Sequence, residues 1–393
     1  MMNSPHLHSG SPQDFEILED SEHEQIVFCK DLESGLRAII AIHNTALGPS
    51  LGGCRMWNYG SEAEALTDAL RLSRGMSYKS ALAGLPLGGG KAVIWGDSKR
   101  DKSKAMFRAF GRFVESLNGR YITGEDVGTS MADMDVIFEE TSYVVGVSPR
   151  LGGSGDPSRY TAYGCLQGIR ASVKEQLNRD TLKGIRVAIQ GIGHVGQNLA
   201  RMLREQDAEV IAADLDTEKC RKFCDEFDCE PANAEEILFV DCDVLAPCAM
   251  GGAINDDTID KLNCSIVAGS ANNQLAAKRH GKALADKGIL YAPDYAINSG
   301  GLINVSLELE GYNRDEAVCR VKRLYDVLSH IYKIARAEGI PTNEAADHVA
   351  EQRLENAKHQ SRRVWLAREH PSFIHRNQER SLPGSQSQLD LFG

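Results

Sequence analysis

Three side chains and one glycine loop hold most of the chemistry this sequence can offer. Lys79 and Lys91 flank SALAGLPLGGG, a run of small and turn-forming residues, and Lys91 follows three consecutive glycines at the mouth of the apolar segment AVI. Glycine weakens a helix or strand by roughly 0.5–1 kcal/mol per residue, so the run is expected where backbone or a ligand must come close. A lysine there, screened from water, would have its pKa brought from about 10.4 to about 7–8, a change of roughly 3–5 kcal/mol. Such a lysine is a base near neutral pH. Asp126, in TGEDVGT, is the third candidate. The loop is GIGHVG, with Gly191, Gly193 and Gly196 around His194 and Val195, directly after RVAIQ and opening a helix. Its glycines allow a tight turn and bring a pyrophosphate onto the helix N-terminus. Asp214 ends the next strand, AEVIAAD, where a carboxylate accepts from ribose hydroxyls and repels a 2′-phosphate. Asp216 adds to that repulsion, so NAD is expected in preference to NADP.

The elements that position these residues follow from periodicity. IVFC and LRAIIAI, parted by DLESG, predict a hairpin. NTALGPSLGGCRMW reads as a loop that leaves the backbone of Leu51, Gly52 and Gly53 open to a ligand. Ser61 with Glu64 is a capping box, and the helix from about Glu62 runs past Met76 and delivers Lys79 near its end. Residues 102–117 repeat the helical period, 120–123 form a short strand, and Asp126 lies just beyond it. Asp133 and Asp135 read as solvated. Residues 148–156 (SPRLGGSGD) form the linker, and 157–177 the helix after it. From Ile185 the chain alternates strand and helix with short apolar runs, as a parallel, doubly wound sheet requires. Residues 314–337 read as one long helix, stopped by Gly339 and Pro341.

The ordered motifs LGPSLGG, GMSYKSA, GGGKAVI, ITGEDVGT, TAYG, APCAMGG, GSANNQL and YAPDYAINSGGLINV resemble the glutamate/leucine/phenylalanine/valine dehydrogenase superfamily, most closely its leucine and phenylalanine branch. The resemblance spans roughly residues 22–361. It implies two α/β domains: residues 1–147 for substrate binding and oligomerisation and a Rossmann-type NAD domain at 148–338, with residues 339–393 returning to the first domain and the active site in a cleft between the two. It implies that Lys79, helped by the backbone near Gly53, holds the substrate carboxylate, and that Lys91 activates water against an iminium carbon. Asp126 would pass protons to and from the substrate nitrogen. Asn272 would bridge substrate and nicotinamide, and Thr161 would lie near the nicotinamide amide; a threonine in a first helical turn also often bonds only backbone. A homo-oligomer, from dimer to octamer, is implied too.

Substrate choice falls to the pocket walls, Leu51, Met76, Gly124, Leu302 and Val305. Glutamate-type members resembling this chain carry a lysine at the position of Leu51 and a serine at that of Val305. Both positions are apolar here, and an unpaired buried charge costs several kcal/mol, so an apolar amino acid is expected. Leucine and other branched-chain amino acids come first. Gly124 with Leu302 resembles the aromatic-accepting members, so phenylalanine is the alternative, a methyl being worth only about 1–3 kcal/mol of discrimination. The alternative from another class is a catalytically silent NAD-binding sensor, which need not carry Lys91 and Asp126.

Composition excludes other classes. The chain has 393 residues and a net charge of −11, which opposes general nucleic-acid binding. No apolar run reaches the ~18–20 residues of a membrane span, and the start lacks the pattern of a signal peptide, so a cytoplasmic protein is expected. Ten cysteines without a framework read as reduced thiols, and Cys220, Cys224 and Cys229 as helix packing rather than a metal site. Residues 371–393 are polar and expected to be disordered. Within them QLDLF, from Gln388 to Phe392, resembles the peptide that docks on the bacterial sliding clamp.

Overall fold

The structure, a computed structural model, describes residues 21–364, with side chains as far as 359. It divides into two compact units at Gly155, within the predicted linker. The tail, including QLDLF at 388–392, lies outside the described residues.

The first unit is built on a five-stranded sheet. β1 (Gln25–Asp31) and β2 (Leu36–Asn44) form the expected antiparallel hairpin. β3 (Ser50–Trp57), β4 (Gly88–Trp95) and β5 (Tyr121–Glu125) complete the order β1-β2-β4-β3-β5. β3 is parallel to both β4 and β5, whereas β2 and β4 are antiparallel. The period-two alternation of a strand sorts its side chains between two cores. Ile40, Ile42, Cys54, Met56, Ala92 and Ile94 pack with Phe107 and Phe110 of α2 (Lys104–Ser116) and Met134 and Ile137 of α3 (Met131–Phe138). On the opposite face Ile39, Ala41 and Val93 meet Ala65, Leu66, Ala69 and Leu70 of α1 (Glu62–Leu82). Ser61 caps α1 by accepting from Glu64 N at 3.1 Å, and Glu64 reaches back to accept from Gly60 N at 2.8 Å.

Two readings of this unit are corrected, the loop at 50–57 and the solvated Asp133 and Asp135. Residues 50–57 are an interior strand rather than a loop, because their glycines admit neighbouring backbone: a Cβ at Gly52 would fall 1.6 Å from Gly90 O. The glycine run before Lys91 has the same cause. A Cβ at Gly88 would meet Asn44 O at 1.9 Å and one at Gly89 would meet Ser77 N at 2.1 Å, so α1 and β2, not a ligand, occupy that space. Asp133 and Asp135 are bonded rather than merely solvated. Asp133 pairs with Lys102, and Asp135 accepts from Ser148 N at 2.8 Å and from Arg150 at 3.1 Å.

The second unit carries six strands, all parallel, in the order β11-β10-β9-β6-β7-β8. They are β6 (Arg186–Gln190), β7 (Glu209–Ala213), β8 (Glu230–Pro231), β9 (Cys242–Pro247), β10 (Cys264–Val267) and β11 (Leu290–Tyr291). The chain winds outward from β6 through β7 to β8, then returns beside β6 as β9 and continues the other way. That reversal is the switch point of a doubly wound sheet, where ligands bind at the carboxyl ends of the strands. α4 (Ser158–Leu177) leads in, α5 (His194–Arg204) follows β6, and α6 (Thr217–Phe227) follows β7. Cys220 and Cys224 are buried on α6, and Cys220 Sγ lies 3.5 Å from Ala212 O.

The long helix expected over 314–337 is two, Arg314–Lys322 and Leu324–Glu338, parted at Arg323. Val321, Leu324, Leu328 and Ile331 stay buried across the break, so the apolar period continues although the backbone does not. The expected return to the first domain after residue 339 also differs. The helix Thr342–Val364 is bonded within the second unit, where Tyr295 donates to Asp347 at 2.6 Å and Thr342 to Tyr291 O at 2.6 Å. Its small apolar face (Ala345, Ala346, Val349, Ala350) is buried, which fixes it there.

Candidate active site

In the first unit the alternation of three adjacent strands gathers the candidates on one face. Ala92 and Ile94 point into the core beneath α2, so Gly89 and Lys91 point to the face of α1. Cys54 and Met56 do the same for β3, which puts Leu51, Gly53 and Arg55 beside them. Gly53 stands opposite Gly124 of β5, and Leu51 opposite Gly89 and Ile122. Asp126 follows β5. α1, lying across this face, carries Lys79 and Met76, both half-buried, near its carboxyl end.

Lys91 is 6% exposed and pairs directly with Asp126. Gly53 makes room for that pair: a Cβ there would fall 2.6 Å from Glu125 O and 2.8 Å from Asp126 Cβ. Thr129 fixes the backbone, its hydroxyl accepting from Asp126 N at 3.0 Å and donating to Cys54 O at 2.9 Å. A second cation, Arg55, places Nε 3.4 Å from Asp126 Oδ2. Arg55 is anchored in turn by Asp68, with Nη1 to Oδ2 at 3.0 Å, and Tyr59 donates to the same oxygen at 2.8 Å. Burial works to raise the Asp126 pKa, but the pairs with Lys91 and Arg55 and bonding from Lys91 and backbone together hold it below the usual carboxylate value. The face therefore presents a buried ammonium against an ionised carboxylate in a space lined by glycine. Leu51 is 2% exposed, and a Cβ at Gly124 would lie 3.2 Å from Val145 Cγ2.

In the second unit the glycine loop has the geometry a pyrophosphate needs. Gly191 adopts φ +99°, and a Cβ on it would meet Ala249 Cβ at 2.8 Å. A Cβ on Gly196 would fall 2.0 Å from Gly191 O, which holds helix and strand together. At Gly193, the N-cap of α5, a Cβ would meet nothing within 4 Å and no side chain caps the helix, so no side-chain cap competes with an anion for its first N–H groups. Asp214 Oδ2 accepts from Ile192 N at 2.7 Å and Oδ1 from Asp216 N at 3.0 Å, and each oxygen keeps a lone pair for a ribose hydroxyl. These residues fit a dinucleotide. His194 is exposed and lies 3.3 Å from Asp156, and Val195 is half-buried beside it.

Asn272 is exposed, and its Oδ1 accepts from Asn298 Nδ2 at 2.7 Å, leaving Nδ2 to donate outward. Thr161 Oγ1 donates to Pro157 O at 3.2 Å, the backbone bond typical of a helical threonine, and Gly301 approaches so closely that a Cβ would fall 2.5 Å from that hydroxyl. Leu302 and Val305 sit on the helix Gly300–Ser306, the first buried and the second half-buried. In the first unit the structure brings Lys91, Asp126, Gly53, Leu51 and Gly124 together, and in the second it joins Asp214 to the glycine loop and Thr161 to the helix that carries Leu302 and Val305. Sequence reasoning missed Arg55, Asp68 and Tyr59. The signal for Arg55 was its period-two spacing from Gly53, invisible while LGGCRMW is read as a loop.

Comparison with known proteins adds the family. A model described as "Glu/Leu/Phe/Val dehydrogenase, dimerisation domain" matches residues 23–143, and one described as "Glutamate/Leucine/Phenylalanine/Valine dehydrogenase" matches 152–220 and 213–370. The chain is 55% identical to leucine dehydrogenase of Thermoactinomyces intermedius over 87% of its own length and 93% of that protein's. It is 49% identical to phenylalanine dehydrogenase of Bacillus thermotolerans over 87% and 91% of the two chains. Among solved structures, L-tryptophan dehydrogenase from Nostoc punctiforme superposes with a TM-score of 0.79 at 45% identity, over 88% of this chain and 99% of that one. With both its units matched in order and its paired lysine and aspartate in place, the chain belongs to the glutamate/leucine/phenylalanine/valine dehydrogenase family of amino-acid dehydrogenases.

Proposed function

We propose that this chain catalyses the NAD-dependent, reversible oxidative deamination of an apolar L-amino acid to its 2-oxo acid and ammonia, with leucine and other branched-chain amino acids as first substrates. The observation that carries the reading is the buried Lys91–Asp126 pair on a glycine-lined sheet face. Lys79 neutralises the substrate carboxylate. NAD, held by residues 191–196 and Asp214, supplies the hydride acceptor. Loss of hydride from the α-carbon leaves an iminium, and hydrolysing it needs a water stripped of a proton. Lys91 in its neutral amine form takes that proton and Asp126 exchanges protons with the nitrogen, roles worth typically about 10²–10⁴-fold each. Asn272 donates its free N–H toward the reacting groups. Asp214 favours NAD because a 2′-phosphate would meet its carboxylate. The working form is a homo-oligomer, assembled through the first unit.

The residues expected to meet the substrate support the apolar class, since neither Leu51 nor Val305 offers a partner to a second carboxylate. A second reading, aromatic substrates, is favoured by one observation: Gly124 leaves free the volume a methyl would take beside Val145. An NADH-formation assay across the twenty amino acids, with NAD and NADP, tests all of this. Turnover fastest with leucine, isoleucine or valine is the expected result; turnover fastest with phenylalanine or tryptophan replaces the substrate assignment, and none with any amino acid overturns the activity.

A further inference from the structure

We infer that Arg55 is a positioning residue for the reaction, the second cation between which and Lys91 the Asp126 carboxylate is shared. The inference rests on the proposed deamination but is carried by the local geometry. Asp126 Oδ2 faces two cations, paired with Lys91 and 3.4 Å from Arg55 Nε. The Nε–H is buried and makes no hydrogen bond, so the nearest oxygen approaches it without completing the bond. An unsatisfied buried donor beside a carboxylate is a position the carboxylate can move into. Arg55 cannot itself drift away, because Asp68 accepts from Nη1 at 3.0 Å, and Asp68 is held by Tyr59 at 2.8 Å and by Arg71 at 3.0 Å.

The two cations differ in one respect that matters for turnover. A guanidinium does not lose its proton in a protein, whereas an ammonium can. When Lys91 takes or gives up a proton, its attraction for Asp126 changes while that of Arg55 stays constant. Arg55 therefore keeps Asp126 ionised and ready to accept a proton from the substrate nitrogen throughout the cycle, and offers it a hydrogen bond as Lys91 turns to water. Asp68 and Tyr59 act one layer further out, by aiming the guanidinium.

The test is steady-state kinetics of Arg55→Met and Arg55→Lys from pH 5 to 10, with a thermal-unfolding cycle over Arg55→Met, Asp126→Asn and the double variant at pH 7. Arg55→Met is expected to lower kcat about tenfold or more with little change in KM, and to move the acid limb of kcat/KM upward by about one pH unit, because a carboxylate that loses a cation titrates higher. Arg55→Lys restores the charge but not the fork, so its acid limb returns towards the parent's and kcat recovers in part. In the cycle, Asp126→Asn costs less melting temperature in the Arg55→Met background than in the parent. An unshifted acid limb with additive melting temperatures overturns the inference. If Arg55→Met does not fold, Arg55→Lys and Asp68→Asn decide it: kcat and acid limb unchanged in both overturns it. If the parent oxidises no amino acid the proposed activity fails, and the unfolding cycle, which needs no turnover, still decides whether Arg55 holds Asp126.

Discussion

At the scale of the residue, the site is an exercise in keeping a buried carboxylate charged. Asp126 contributes stability that is present above the ordinary carboxylate pKa of about 3.9 and is lost as pH falls through its lower folded value, since its pKa is depressed in the folded state. Asp126→Asn should therefore flatten the acid side of the stability profile below about pH 4, which urea unfolding at several pH values measures. The two halves of the pair are not equivalent on removal. Asp126→Asn leaves Lys91 buried without its anion and Arg55 with Asp68 alone, so it should destabilise by about 3–5 kcal/mol, in the range of a broken buried pair. Lys91→Ala leaves the carboxylate with Arg55 and should cost less, while abolishing turnover and leaving NAD binding intact. Undiminished activity in that variant would remove Lys91 from the base role.

At the scale of the element, three strands and one helix come close together by omission of side chains. Gly53, Gly89 and Gly124 all lie on the face that Lys91 shares, yet their reasons differ. Gly89 is required by packing, because a Cβ would strike the backbone nitrogen of Ser77 at 2.1 Å. Gly89→Ala should lose at least the roughly 1–3 kcal/mol typical of overpacking, read as a lower melting temperature. Gly124 is different: its missing Cβ would meet only Val145 Cγ2 at 3.2 Å, a contact a side chain can relieve. Gly124→Ala should fold normally and shift preference towards smaller substrates, changing the leucine-to-phenylalanine ratio of kcat/KM by up to the ~10–200-fold worth of a methylene. An unchanged ratio would place Gly124 outside the pocket.

At the scale of the whole molecule, one unit holds the charged pair and the other the glycine loop, the proposed nucleotide site, and the helix bearing Leu302 and Val305. Asp214 braces Ile192 N at 2.7 Å, and in the proposed function it also accepts from the ribose. Asp214→Ser should raise the NADP-to-NAD ratio of kcat/KM and also weaken NAD, because the loop loses an acceptor. A parent enzyme using NADP as well as NAD would contradict the assignment. Ligand binding to the folded state alone raises stability by about 2.7 kcal/mol at a hundred times Kd. Saturating NAD should accordingly raise the melting temperature, and the gain should shrink in Asp214→Ser.

Much of this was legible in the residues. The capping box at Ser61, the glycine loop with its acid at Asp214, and the alternating second half are local patterns, and short-range geometry decides them. That Lys91 and Asp126 serve one site was implied by resemblance to a family; that they pair directly was seen only in the structure. What the sequence by itself determined was the kind of chemistry and the order of elements, because capping, turn and periodicity signals act within a few residues. Only the tertiary structure decided that residues 50–57 are an interior strand, that α1 rather than a ligand fills the space beside Gly89, and that Arg55 stands beside Asp126. Those facts depend on which backbone approaches which glycine across the sheet, and contacts between residues far apart in the chain leave no local pattern to read.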